Sequence, residues 1–204
     1  MVSIAQDVQG PEFVHPWLER TGTTFRTLID RHNDVGKAFG MKYVPIAIIV
    51  DAQGRLVRPV VGVNIGDDAF RQQLQEWATT DEIPQAWQET EAPEQRDPTL
   101  AERKADARFQ LALVLLEAQD RDQALEQLRL AVRADPDNWL IRKQMWAIEA
   151  PEAFYSGPVD YAWQKTQQEH EQENLLSVSP SSRALPLSHP GSTGAPDRSD
   201  QSPR

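Results

Sequence analysis

The chain has 204 residues, no cysteine, and 31 acidic against 21 basic side chains, for a formal net charge of −10. The missing thiols exclude disulfides, thiolate metal sites and a cysteine nucleophile within these residues. The acidic balance opposes general binding to nucleic acid or to anionic membranes, and no apolar run approaches the ~20 residues of a membrane span.

Val2 to Ala5 is a short apolar run that predicts a buried strand. Gly10-Pro11-Glu12 then opens a helix, with proline in the first turn where its missing N–H costs least. Phe13, Val14, Trp17 and Leu18 share one face of that helix, Pro16 disturbs it early, and Gly22 ends it. Residues 25–31 form a short extended connection, and Asp34 to Gly40 a short helix closed by Gly40. Ile46 to Val50 is a continuous β-branched run and predicts a central buried strand. Asp51-Ala-Gln-Gly54 makes a turn, and Arg55 to Val63 returns as the second strand of a hairpin, with Pro59 marking an edge. Asp67 or Asp68 caps a last amphipathic helix carrying Phe70, Leu74 and Trp77.

Residues 79–104 are acidic and punctuated by Pro84, Pro93 and Pro98, which reads as a linker, with Ile83 and Trp87 laying it over a neighbouring surface. Residues 105–171 are helical. Residues 172–204 form a disordered tail, in which Ser, Pro and Gly fill 15 of the 28 positions from Ser177 onward. No pair among His15, His32, His170 and His189 has metal-ligand spacing, Gly66-Asp67-Asp68 is a helix-capping pattern rather than a metal site, and no phosphate loop or nucleophile elbow occurs. Cofactors and metals are therefore not expected.

The segments VSIAQD, FRTLIDRHNDVGKAFGMKYVPIAIIVDAQGRLV and Val61-Gly62 together resemble the later part of the thioredoxin-like superfamily, in its redoxin branch of thiol-disulfide oxidoreductases and thiol peroxidases. The fold class this implies is an incomplete α/β thioredoxin-like domain over residues 1–78. From spacing alone, Val44-Pro45 either carries a cis peptide bond or merely starts the strand; the resemblance implies the cis bond. It also implies that the unpaired backbone at Val44 and Pro45 binds an extended substrate chain, in the manner of strand addition. In that family the strand and helix before the one matching VSIA carry a Cys-x-x-Cys pair or a single reactive Cys, whose thiol is activated at a helix N-terminus. This chain has no such position, so no catalytic residue carries over. Three origins stand open: a fragment, a degenerate non-catalytic relative, or a gene start assigned after an in-frame codon for selenocysteine.

Residues 105–138 resemble one tetratricopeptide unit. Leu111, Ala112, Leu115, Ala124, Leu128, Ala131 and Pro136 fall on its packing positions, small side chains letting two helices approach and the proline ending the second. Trp139, Trp146, Phe154, Tyr161 and Trp163 then read as core or capping contacts. Roughly three such units are needed for an independent solenoid, so this one should dock on the α/β segment and serve a protein partner or self-association. Two functions follow from these resemblances. The first is a redox protein of cell redox homeostasis whose thiol or selenol is absent here, leaving the chain inactive as written. The second is a non-catalytic protein-interaction module. The N-terminal residues lack a signal-type core, which reads as cytoplasmic; a signal in an upstream segment would make the protein exported.

Overall fold

The computed structural model describes residues 1–91 and 96–177, the last four of these by backbone alone. It is mostly helical, with two small two-stranded sheets. The chain divides into two compact units, Met1–Asp160 and Tyr161–Arg204.

The first unit opens with β1 (Val2–Ala5), α1 (Pro11–Thr21) and β2 (Arg26–Ile29). The stretch expected as an extended connection is therefore a paired strand: β2 runs parallel to β1, with Val2 opposite Arg26 and Ala5 opposite Ile29. Ser3 and Thr27 join hydroxyls at 2.6 Å on one face of this ladder. Val2, Ile4 and Leu28 alternate onto the other face and are exposed, which corrects the expectation of a buried strand: among the described residues nothing covers that face. Helix α1 runs unbroken across Pro16 and ends at Gly22, whose left-handed φ of 60° suits a residue without a Cβ.

Next come α2 (Asp34–Ala38), β3 (Ile46–Ala47), β4 (Val61–Gly62) and α3 (Asp68–Thr80). The run Ile46–Val50 is not a central strand. Only Ile46 and Ala47 pair, antiparallel to Gly62 and Val61, and a single further bridge joins Val50 to Leu56. With one partner strand the run is buried only in part: Ile49 is buried and Val50 exposed. Asp67 caps α3, its carboxylate accepting from the Ala69 N–H at 3.0 Å.

The expected linker is largely structured. Helix α4 (Gln85–Gln88) sets Trp87, 2% exposed, against Phe70 and Trp77 of α3, and the Trp87 indole N–H donates to Gln73 at 2.8 Å. Helix α5 (Leu100–Glu117) begins five residues before the expected boundary, because Thr99 and Glu102 form a capping box. With α6 (Arg121–Ala134) it makes a hairpin whose interior holds Phe109, Ala112, Leu113, Ala124, Leu128 and Ala131. Helices α7 (Trp139–Glu149) and α8 (Pro151–Tyr155) complete the unit, and Trp146, Leu128, Phe109 and Ile148 are its most deeply buried large side chains.

In the second unit, α9 (Tyr161–Ser177) is a helix, so residues 172–177, expected in the tail, are helical. The expected disorder beyond Ser177 lies outside the described residues. Tyr161, expected as a capping contact, is 73% exposed. Among the described residues no helix is long and apolar enough to cross a membrane.

Candidate functional site

The loop leading to Val44 and Pro45 is built from its two ends inward. At the first end α2 is capped not by its own N-cap residue but by Asp30, whose carboxylate accepts from the N–H groups of Asp34 and Val35 at 2.8 and 2.9 Å. Gln6 donates to the same carboxylate at 2.8 Å, tying α2 to the end of β1. Gly40, at φ 60°, turns the chain out of α2, and the Met41 N–H closes back on the Gly36 carbonyl at 2.7 Å. At the other end the Val63 N–H donates to the Pro45 carbonyl at 3.4 Å, continuing the β3–β4 ladder.

The helices hold the middle of the loop. The Lys42 ammonium lies 2.7 Å from Glu102 on α5 and 3.0 Å from Asp135 after α6. Its main-chain carbonyl accepts from the Leu140 N–H of α7 at 3.0 Å. Burial works against the Lys42 charge, but the hydrogen bonds to Glu102 and Asp135 outweigh it and raise its pKa above the ordinary lysine value. Glu102 is held far below the carboxylate range, first by Arg96, which grips it with two bonds of 2.6 and 2.7 Å, then by Lys42 and the Thr99 N–H. The loop is thus pinned by both side chain and backbone.

Between these anchors Tyr43, Val44 and Pro45 stand exposed. The Val44–Pro45 peptide bond is cis. Val44 is 38% exposed, and its main-chain N–H and C=O make no hydrogen bond among the described residues. The loop therefore offers one free donor and one free acceptor at a bend just before β3. Tyr43 and, from the end of α2, Phe39 add exposed aromatic surface near it in sequence.

A second constellation joins β1–α1 to α7 and α8. The Gln144 amide bridges the Gln6 carbonyl at 2.7 Å and the Val8 N–H at 3.0 Å. Asp7 is buried and accepts from the Tyr155 hydroxyl at 2.9 Å, and Gln9 donates to that same hydroxyl at 2.9 Å. Burial raises the Asp7 pKa above the ordinary aspartate value against these hydrogen bonds, and burial together with the Asp7 charge pushes the Tyr155 hydroxyl above the usual tyrosine range. Asp7 and Tyr155 line a cavity of about 370 Å³ with Ser3, Phe13, Trp17 and Thr27.

Of the repeat-packing residues, Ala112, Ala124, Leu128 and Ala131 are buried in the α5–α6 hairpin and Leu115 is half-buried. Leu111 corrects the expectation: it is 44% exposed, and Leu113 takes an inward position instead. Pro136 is exposed, and its carbonyl accepts from the buried Arg142 at 2.5 Å. Sequence reasoning missed Lys42, Glu102, Asp135 and Gln144, whose roles depend on partners about 60 to 140 positions away in the chain. Only Glu102 had a local signal, the Thr99-x-x-Glu102 capping pattern. Among the described residues no group of three or more His, Asp or Glu is placed to hold a metal ion. No family model, curated protein or solved structure matches this chain.

Proposed function

We propose that these residues belong to a thioredoxin-like redox protein of the thiol-disulfide oxidoreductase or thiol peroxidase class, and that Val44 and Pro45 receive an extended substrate backbone. The observation that carries this reading is the exposed residue Val44, whose main-chain donor and acceptor are both free among the described residues. A peptide laid along it gains main-chain bonds, and its side chains meet the neighbouring loop surface. Helices α5 to α7 serve as the brace of that loop, through the Lys42 ion pairs and the Leu140 N–H. The thiol or selenol such chemistry requires is not among the 204 residues, which contain no cysteine.

A second reading, a non-catalytic interaction module, draws on the outer face of α5. There Leu111 and Val114 sit three residues apart and stand 44% and 61% exposed.

Two measurements separate these. In a titration of the 15N-labelled protein with an extended disulfide-containing peptide, the Val44 amide is expected to shift first. Shifts at Leu111 and Val114 with a silent Val44 would support the module instead. The intact mass of the native product decides the redox chemistry. A product heavier than 23.1 kDa with an added segment carrying Cys or selenocysteine is expected; a mass equal to Met1–Arg204 removes it.

A further inference from the structure

Helix α5 presents two opposite faces. Ala105, Phe109, Ala112 and Leu113 are buried in the unit's core. On the other side Leu100, Lys104, Ala107, Leu111, Val114 and the C-cap Ala118 follow one another in alternating steps of four and three, and all six are exposed. That spacing is the seam of a two-helix coil. It runs about 27 Å at ~1.5 Å per residue. Lys104 is its one charged position, and among the described residues nothing buries it.

Shape and charge both say what fits this seam. Laid antiparallel on a copy of itself, with the two-fold axis at the level of Phe109, it sets Leu111 against the copy's Ala107, Leu100 against Ala118, and the alkyl stem of Lys104 against Val114. Large meets small in each layer. A parallel copy stacks equal residues, so Ala107 and Ala118 face themselves across gaps and Lys104 faces Lys104. Arg103 and Lys104 stand at the N-terminal end, and neither makes an ion pair among the described residues. Glu117 stands at the other end, its only ion-pair contact among the described residues being His32 at 3.8 Å, with both side chains more than half exposed. Antiparallel packing brings Arg103 and Lys104 to the copy's Glu117 and to the negative end of its helix; parallel packing brings like charge to like. Arg108, which also flanks the seam, is held by Gln127 of α6 at 2.6 Å.

From these observations we propose that α5 is the interface of a two-fold dimer in which two copies of the helix pack antiparallel. The proposal rests on the reading of α5 as an interaction face, names its occupant, and does not involve Val44. A seam of this length lies at the small end of specific interfaces, and the net charge of −10 on each copy opposes association. The dissociation constant is therefore expected on the order of 10–100 µM.

The test is sedimentation equilibrium of the full 204-residue protein from about 5 to about 500 µM, a range that spans that constant. The weight-average mass is expected to rise from 23.1 kDa toward twice that value. Leu111→Lys should hold it at the monomer mass with an unchanged circular dichroism spectrum, and Val114→Lys serves in its place if that variant does not fold. Arg103→Glu and Glu117→Arg should each weaken the dimer about three- to tenfold, and the two together should restore it; in a parallel pair neither single change alters the balance of like charges. Because the chain has no cysteine, orientation can also be read by cross-linking. Mixed and mildly oxidised, the Ala107→Cys and Leu111→Cys variants should join to each other in preference to themselves. A monomer at every concentration overturns the proposal, as does a dimer that both lysine variants leave intact. Cross-linking of each variant mainly to itself overturns the antiparallel arrangement. A monomer whose Leu111 and Val114 amides still shift with a peptide overturns the second copy as occupant while keeping α5 as an interaction face.

Discussion

Replacing Lys42 by methionine keeps most of the side-chain volume and removes the cation that joins the loop to the helices. Its ammonium sits 2.7 Å from Glu102 and 3.0 Å from Asp135, with the three side chains 33%, 16% and 8% exposed. After the change Glu102 still holds Arg96 and the Thr99 N–H. Among the described residues Asp135 keeps only a 3.4 Å contact from Asn138 to its carboxylate, so the loss falls there. Exposed pairs contribute up to ~1 kcal/mol, and breaking a fully buried pair costs ~3–5 kcal/mol. A partly buried cation facing a buried carboxylate should therefore cost about 2 kcal/mol, roughly 4–8 °C in Tm for a unit of this size. Urea unfolding followed by far-UV circular dichroism measures it, and the cycle with Asp135→Asn should show a coupling of at least ~1 kcal/mol. Lys37→Met is the control: Lys37 pairs with Asp106 at 3.0 Å, but both side chains are over a third exposed, so its loss should be below ~0.5 kcal/mol. Equal costs for the two lysines, or additivity with Asp135→Asn, would refute the assignment of Lys42 as the tie. Acid probes the same cluster. Glu102 is held below its ordinary value, so its contribution is complete above pH ~4.3 and is lost as the pH falls further.

Two further outcomes follow from burial. Leu128→Ala should cost ~2–5 kcal/mol because Leu128 is fully enclosed in the α5–α6 hairpin. Leu111→Ala should cost under ~1 kcal/mol, since 44% of it already meets water; chemical denaturation of the two variants checks the contrast, and equal losses would contradict it. Asp7 has the opposite acid sign to Glu102. Its folded pKa is raised by burial, so as the pH falls toward the ordinary aspartate range the folded state takes up its proton first and gains stability relative to the unfolded chain. A carboxyl-carbon NMR titration of Asp7 should give a midpoint above ~3.9, and a midpoint at or below that value would sink the argument.

The elements legible beforehand were those with local signals. Gly10-Pro11 and Gly22 bracket α1, Asp67 caps α3, and the small residues Ala112, Ala124 and Ala131 mark a close helix pair. The strand character of Arg26–Ile29 was not legible, because its partner is β1, some 24 residues earlier. The apolar run Ile46–Val50 misled for the converse reason. Its composition suits burial on both faces, but a strand's length depends on what pairs with it, and here that is the two-residue β4 and a single bridge from Val50 to Leu56. At the candidate site, Val44 and Pro45 stood out through a family resemblance. The side chains that fix them did not, since Lys42 among other surface lysines differs only by the carboxylates that folding brings to it.

Residues 138 and 146 positions apart meet when Gln6 bonds to Gln144 and Gln9 to Tyr155. Such closures are entropically late events, whereas the α5–α6 hairpin joins neighbours across a three-residue turn. The helices should therefore form first and act as the surface on which β1, β2 and the Val44 loop condense. A chain cut at residue 78 would lose that surface together with every one of these bonds. The α/β segment is thus the dependent partner during folding, although it comes first in the sequence.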